Sequence, residues 1–514
     1  MTLVMPAPSD SYDYVVVGGG TAGSVIAARL SEDGAARVLL LEAGVDRPPP
    51  DAALPPAWPT LVHTGATWGD STVRQEATGT TALLARARVL GGGSAINAMS
   101  FLRGHRSCYD AWESDGAPGW GFDDLLPYFK RSETTVGRDP GLRGVDGPLT
   151  VAPAQPPHPV IAALLGASTQ TGYRRASDIS GGTEEGFGCT DLNIVDGRRQ
   201  SAADAYLTPS RHRANLTVLT EALVHRLDVR DGRCTGVEYS TPGGTDRVAC
   251  RGEVVLTAGT FGSAQLLMLS GIGPPRHLRE MGIAVAADLP GVGANLQDHP
   301  ICNVVYSAAR PVPAGSNNHG EAAGLVRSQP GLDGPDLQMV FVDSLGHIPG
   351  VDAPEPGEGY TIGVAVMRPY SRGTVRLSSG QPGALPRLDP NYLGDDRDLA
   401  AMVQGLRLAR EIGQAGALDD WRAYEMKPGT RTDDDAALQA YVRRSLASYF
   451  HPVGTCRIGE DALAVVDRHL RVHGIGGLRV ADGSVMPSIP SANTNATVCA
   501  IAERAADMLR GRSS

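Results

Sequence analysis

The sequence predicts an α/β protein in two parts. One part carries a largely parallel sheet wound with helices, and the other an antiparallel sheet flanked by helices. Three observations carry this expectation. Residues 14–42 read as strand, glycine knot, helix and strand, the size of one βαβ unit of about 30 residues. The chain has 514 residues, more than one hydrophobic core organises. Between residues 300 and 445 the pattern changes to short strand-like pieces punctuated by Pro and Gly, followed by two helical segments.

The elements follow in order. Residues 14–17 (YVVV) form a short apolar run suited to a buried strand. Gly18, Gly20 and Gly23 then spell G-x-G-x-x-G, and Val25, Ile26, Ala28 and Leu30 continue as a helix. Residues 38–41 (VLLL) are the next strand, which ends at Glu42. This is a Rossmann-like unit. Prolines at 48–50, 55, 56 and 59 keep the following stretch irregular. A second glycine knot stands at 91–93. Residues 216–219 and 253–258 read as further buried strands, and 236–248 as a hairpin turning at Pro242-Gly243-Gly244. A helix after Gly262 runs through Leu266, Leu267 and Leu269 and stops at SGIGPP. In the second part, 337–342 and 361–367 are strand-like, while 395–412 and 434–448 are helical. The last segment, 497–510, sets Val498, Ile501, Ala502, Ala505, Met508 and Leu509 on one helical face. The expected division is 10–155, 190–300 and 446–514 for the nucleotide-binding domain, and 156–189 and 301–445 for a substrate domain.

Composition narrows the function. A net charge of -10 with few basic clusters argues against a nucleic-acid partner. No stretch approaches the roughly 20 apolar residues of a membrane span. MTLVMPAPSDSYD has neither a basic n-region nor an apolar core, so a signal peptide is not expected there. Seven scattered cysteines suit a reducing cytoplasm and offer no metal-ligand spacing.

The glycine unit has a physical reading. Gly18 makes the turn, Gly20 lets a pyrophosphate approach the backbone, and Gly23 lets the helix pack on the strand. Glu42 stands where an acidic side chain accepts hydrogen bonds from a ribose. This pattern alone does not separate NAD from FAD.

Four more stretches follow in order: RVLGGGSAINAM (88–99), AGTFGSAQLLMLSGIG (258–273), HPVGTC (451–456) and LRVADGSVMPSIPSANTNATVCAIAERAADM (478–508). With the opening unit they closely resemble the glucose–methanol–choline (GMC) oxidoreductase family, over about residues 11–510. The resemblance implies a bound FAD, an alcohol substrate, hydride transfer to flavin N5, and O2 or another electron acceptor. It places Thr21, Ala22, Ala43, Arg88, Gly92, Gly93, Asn97, Ala98, Val224, Asp482, Gly483, Thr494 and Asn495 beside the glycine turn as cofactor-binding residues. Small residues in GGGSAIN would let a flat ring lie close to the backbone. Some members of the family attach FAD through a His in this loop; Ile96 stands at the matching position, so FAD is expected to be non-covalent. Ala264 departs from the family's usual Pro at a strand-to-helix turn, away from the chemistry.

The catalytic pair implied is His451 and Asn493. An alcohol is a poor hydride donor and its alkoxide a good one, so a base must take the proton as the hydride leaves. A neutral imidazole with a pKa near the working pH suits that task, and an Asn can hold the same oxygen without competing for the proton. A helix N-terminus directly after NTNAT would favour negative charge on a reduced flavin. Tyr449, Phe450 and His319 are the substrate-pocket candidates; an apolar wall there suits primary aromatic or aliphatic alcohols. No evident Trp cage for a quaternary ammonium is present, which disfavours choline. Two other readings stay open. A hydroxynitrile-lyase-type enzyme would use the same base with FAD as a structural group. An NAD-dependent dehydrogenase would use the glycine unit but leaves 88–99 and 478–508 unexplained.

Overall fold

The computed structural model describes residues 11–345 and 357–511. Strand Ser11–Val17 lies parallel to Val38–Leu41 on one side and to the second half of Gly244–Leu256 on the other. Leu216–Leu219 extends this sheet beyond Val38–Leu41, and Leu478–Val480 extends it beyond Gly244–Leu256, both in parallel. Val38 to Leu41 are at most 1% exposed, which is why the strand reads as an unbroken apolar run. The first half of Gly244–Leu256 pairs instead with Arg233–Thr241, and that strand with Leu223–Arg230, as an antiparallel meander. The expected hairpin is therefore present. Its second arm and the buried run after it are one continuous strand of 13 residues.

Helix Thr21–Leu30 starts at the glycine turn, and helix Asn495–Leu509 packs along it. The buried Glu503 carboxylate locks the pair: Arg29 donates to it from Nε (2.9 Å) and Nη2 (2.8 Å), and Tyr206 from its hydroxyl (2.8 Å). Thr21 Oγ1 also donates to Asn495 Oδ1 (3.0 Å), so the N-termini of both helices meet.

The second sheet is antiparallel. Its order is Arg422–Lys427, Pro300–Ala308, Gly359–Val366, Leu337–Val342, Ala322–Val326 and Gly186–Cys189, with Ala447–Ser448 added beside Pro300–Ala308. Alternation sorts its two faces. Cys302, Val304, Met339, Phe341 and Ile362 face a core shared with helices Pro159–Gln170, Asp396–Gly413 and Asp435–Ser445. Ile301, Asn303, Val340, Val342 and Thr361, at the intervening positions, face a cavity. Helix Asp435–Ser445 stops short of the expected residue 448, because 447–448 joins the sheet. Val375, Leu377 and Leu388, from a stretch expected in the second part, pack into the first core.

Among the described residues no helix is long and apolar enough to cross a membrane.

Candidate active site

A cavity of about 970 Å³ is lined from both sheets. Every site residue singled out above lines it except Gly23 and Arg88. At one end lies the glycine turn. Gly18 has φ +107, and a Cβ on it would sit 2.6 Å from the Thr257 carbonyl oxygen. A Cβ on Gly23 would lie 1.9 Å from Gly18 O, so Gly23 serves the contact of helix and strand rather than the cavity. Gly92 Cβ would approach Gly20 Cα to 2.6 Å, so the two glycine knots touch. Arg88 corrects the sequence expectation: it is exposed, and its guanidinium lies 4.8 Å from the Trp68 ring centroid.

Two acidic residues are already engaged by the protein. Glu42 accepts from Gly19 N–H and Gly44 N–H, both at 2.7 Å, and so holds the turn in shape. Burial pushes its carboxyl pKa up. Asp482 accepts from Ser263 Oγ (2.6 Å), Gly259 N–H (2.9 Å) and Ser484 N–H (2.8 Å), which ties the strand ends together.

At the other end stands His451, 8% exposed. Its neighbour there, His299, was not foreseen. The only signal was a His-Pro dipeptide in LQDHP at 296–300, and His158-Pro159 carries the same pair of residues. The two stretches run antiparallel: Pro300 pairs with Ser448, Tyr449 N–H donates to His299 O (2.9 Å), and Gln297 pairs with Val453. Three steps on one side match five on the other. The excess forms a bulge at Phe450, which has φ +62 and lies 37% exposed at the cavity wall. Asp298, buried between them, accepts from His451 N–H (2.8 Å), His299 N–H (2.9 Å), Ser448 Oγ (2.5 Å) and the Tyr392 hydroxyl. Burial pushes its carboxyl pKa up to about 6.

Hydrogen-bond logic then assigns the protons. His299 Nε2 lies 3.1 Å from Met367 O, a pure acceptor, so this nitrogen carries the hydrogen. Burial lowers the pKa of His299 well below the ordinary value, so it is neutral and its Nδ1 is a lone pair. His451 Nδ1, 3.0 Å away, must donate to it. His451 is neutral as well, burial having lowered its pKa to about 3. Its Nε2 is therefore the unprotonated nitrogen. Asn493 Nδ2 reaches that lone pair at 3.2 Å, and both residues line the cavity.

The depressed pKa has a consequence for stability. A His that titrates near 6.5 in the unfolded chain and near 3 in the fold leaves the unfolded state binding more protons between those values. Stability contributed at neutral pH is thus lost as pH falls from 6.5. At pH 5 the loss from His451 is about 2 kcal/mol. Urea unfolding of the parent and His451→Gln at pH 7.5 and 5 should show the parent losing more stability than the variant by about that amount.

Ile301, Val340 and Val342 from the second sheet also line the cavity, with Tyr449 and Trp58. The Tyr449 ring centroid is 4.5 Å from that of His451. Trp58 and Trp68 both line the cavity, contrary to the expectation of a site poor in Trp. Arg86 and Arg88 stack on Trp68 at 4.4 and 4.8 Å, so that ring is already in use. Trp58 donates from Nε1 to Asn318 O (2.8 Å). His319 is pinned, with Nδ1 2.7 Å from Asp343 Oδ1 and Nε2 3.1 Å from Pro56 O. Its Asp343 partner outweighs burial and raises its pKa. Among the described residues no cluster of three potential metal ligands occurs.

A nucleotide cradle that opens into the same cavity as an unprotonated imidazole nitrogen defines a nucleotide-cofactor oxidoreductase. Residues 12–301 and 369–502 match the two family models described as GMC oxidoreductase, and the chain belongs to that family. It is 39% identical to the oxygen-dependent choline dehydrogenase of Rhizobium johnstonii, over 97% of this chain and 96% of that one. It is similar to pyridoxine 4-oxidase from Mesorbium loti, with TM-score 0.94 and 36% identity over 98% of this chain and 100% of that one. It is also similar to a fungal aryl-alcohol oxidase, with TM-score 0.85 and 26% identity over 97% and 99%. The chain is accordingly an enzyme acting on CH–OH groups, with FAD as its cofactor. The residues present fit that group: the cavity is at the upper end of ligand-site volumes, and its glycine knots leave open space at Gly93.

Proposed function

We propose that the chain oxidises a primary alcohol, aromatic or aliphatic, to the aldehyde. The observation that carries this is the lone pair of His451 Nε2 meeting the Asn493 amide at 3.2 Å within the cavity. An alcohol oxygen placed there gives its proton to Nε2 while Asn493 donates to the same oxygen. Bound FAD supplies the two-electron acceptor. His451 is buried and Asn493 half-buried, so the nitrogen that takes the proton faces the cavity and not the protein surface. Gly18, Gly20, Thr21 and Ala22 would hold the pyrophosphate, Glu42 the adenosine ribose, and the loop 92–98 the flavin. Residues 10–155, 190–300 and 446–514 would form the FAD-binding domain, joined by the 374–389 hairpin; 156–189 and most of 301–445 would form the substrate domain.

Two features favour a neutral alcohol. Ile301, Val340, Val342 and Tyr449 make an apolar wall, and the two carboxylates that line the cavity, Glu42 and Asp482, are engaged at its cofactor side. A second reading, choline, rests on the identity to choline dehydrogenases and on Trp58, whose ring could face a cation. A panel of benzylic alcohols, aliphatic alcohols and choline, read by both H2O2 release and dye reduction, tests the two readings and names the acceptor. A benzylic or aliphatic alcohol should give the highest kcat/KM; choline ahead of all others overturns the first reading. Anaerobic bleaching of the flavin by the best alcohol is the expected result that separates oxidation from the lyase-type alternative. The seven cysteines are unpaired, which supports a cytoplasmic location.

FAD is expected to be held without a covalent bond, because Ile96 at the cavity wall has no nucleophile. Acid precipitation should release all the yellow colour into the supernatant. Flavin fluorescence on the protein band of a denaturing gel would refute this.

A further inference from the structure

Among the described residues the buried cations are paired, with one exception beside the cavity. Arg143 meets Glu133, Asp178 and Asp191, and Arg103 meets Glu133. Arg199, 7% exposed, makes no such pair among the described residues. It stands on the small hairpin of Ile194–Val195 and Arg198–Arg199. Its Nε donates to Ala52 O (2.7 Å), and its Nη1 to Asn97 Oδ1 (2.8 Å) and Ser94 O (3.3 Å). Nη2 is buried without a partner. Asp204, the carboxylate whose charge reaches it, is engaged by Ser201 N–H (2.8 Å) and Oγ (2.7 Å). A buried charge with no counter-ion is expensive unless an anion enters its field.

The partners of Arg199 show where that field acts. Asn97 Oδ1 accepts from Arg199 Nη1 and from Met99 N–H (3.0 Å), which leaves the NH2 group for the cavity that Asn97 lines. Ile96 and Ala98 line it too. We propose that Arg199 is a positioning and charge-compensating residue for the cofactor. It fixes the Asn97 amide with its NH2 group inward, and its positive charge balances the negative charge that arrives with the hydride. The proposal rests on the reading that loop 92–98 faces the flavin. The balance is simple. The hydroxyl proton goes to His451 Nε2, the C–H hydride carries both electrons to the cofactor, and one negative charge is left there. A preorganised cation in a low-dielectric site stabilises that charge without reorganising.

Sulfite tests this without substrate or turnover, because its addition to an oxidised flavin leaves the same negative charge on the ring. In Arg199→Gln holoenzyme, sulfite affinity should fall at least tenfold and the flavin midpoint potential should become more negative. In Arg199→Lys, which keeps the charge, sulfite affinity should stay within about threefold of the parent. Arg199→Gln that binds FAD and retains sulfite affinity within threefold overturns the proposal. So does an FAD-loaded Arg199→Lys whose affinity falls tenfold or more; this variant carries the test if the Gln variant does not fold. Asn97→Leu separates the proposal from the reading beneath it. If Asn97→Leu leaves the flavin absorption spectrum and sulfite affinity unchanged, loop 92–98 does not face the flavin and both fail. If Asn97→Leu alters them while Arg199→Gln does not, the proposal for Arg199 fails and the reading that loop 92–98 faces the flavin stands.

Discussion

His451→Ala is expected to slow anaerobic flavin reduction by the best alcohol by roughly 10²–10⁴-fold, the usual contribution of a positioned general base. The residue is held by its backbone, through the N–H bond to Asp298, and its imidazole by side-chain bonds to His299 and Asn493. The fold and the FAD content should therefore survive its removal. Asn493→Ala should slow reduction less, because it removes a hydrogen-bond donor and no proton acceptor. Raising the pH should partly rescue His451→Ala, since alkoxide formed in solution needs no base. Stopped-flow bleaching across pH gives the comparison. A His451→Ala enzyme that reduces its flavin within threefold of the parent at neutral pH would show that the proton goes elsewhere.

The second large effect is expected at His299, which never touches the substrate-facing nitrogen. His299→Leu removes the acceptor for His451 Nδ1–H and leaves Met367 O without its donor. The imidazole of His451 is then free to place its hydrogen on Nε2, the tautomer that cannot accept a proton from the alcohol. Flavin reduction should fall by on the order of 10²-fold, chiefly in kcat and not in KM. Glutamine can rebuild both bonds, accepting through Oε1 and donating through Nε2. His299→Gln should therefore recover most of the lost rate. Nitrogen-15 NMR of labelled histidine should show His451 protonated at Nδ1 in the parent and in His299→Gln, and as a mixture of tautomers in His299→Leu. Equal rates in the Leu and Gln variants would mean that His299 acts as packing alone.

The sequence was most legible where local chemistry determines local structure. The strand 38–41 falls at its expected bounds because both of its faces are buried, so it reads as VLLL with no polar interruption. Gly18 and Gly23 were legible for a similar reason: one needs φ +107 and the other has no room for a Cβ, and these are demands of the turn itself. Arg88 was not legible because its place outside the cavity lining goes with stacking on Trp68, a ring twenty residues away in sequence. Glu42 and Asp482 stood out in the sequence as candidates, but their work in holding the glycine turn and the strand ends did not.

By itself, the order of five motifs determined the family and singled out His451 as a candidate. Each of those rests on contacts between residues near in sequence, or on a pattern that survives without knowing where the chain goes next. What only the tertiary structure decided is the protonation state of His451. Residues 297–300 and 448–453 lie some 150 positions apart. Their antiparallel pairing, with its bulge at Phe450, brings His299 Nδ1 within 3.0 Å of His451 Nδ1. The Met367 carbonyl, from a third segment, then dictates which nitrogen holds each proton. A tautomer depends on the donors and acceptors around a ring, and when those come from distant segments no local pattern encodes it.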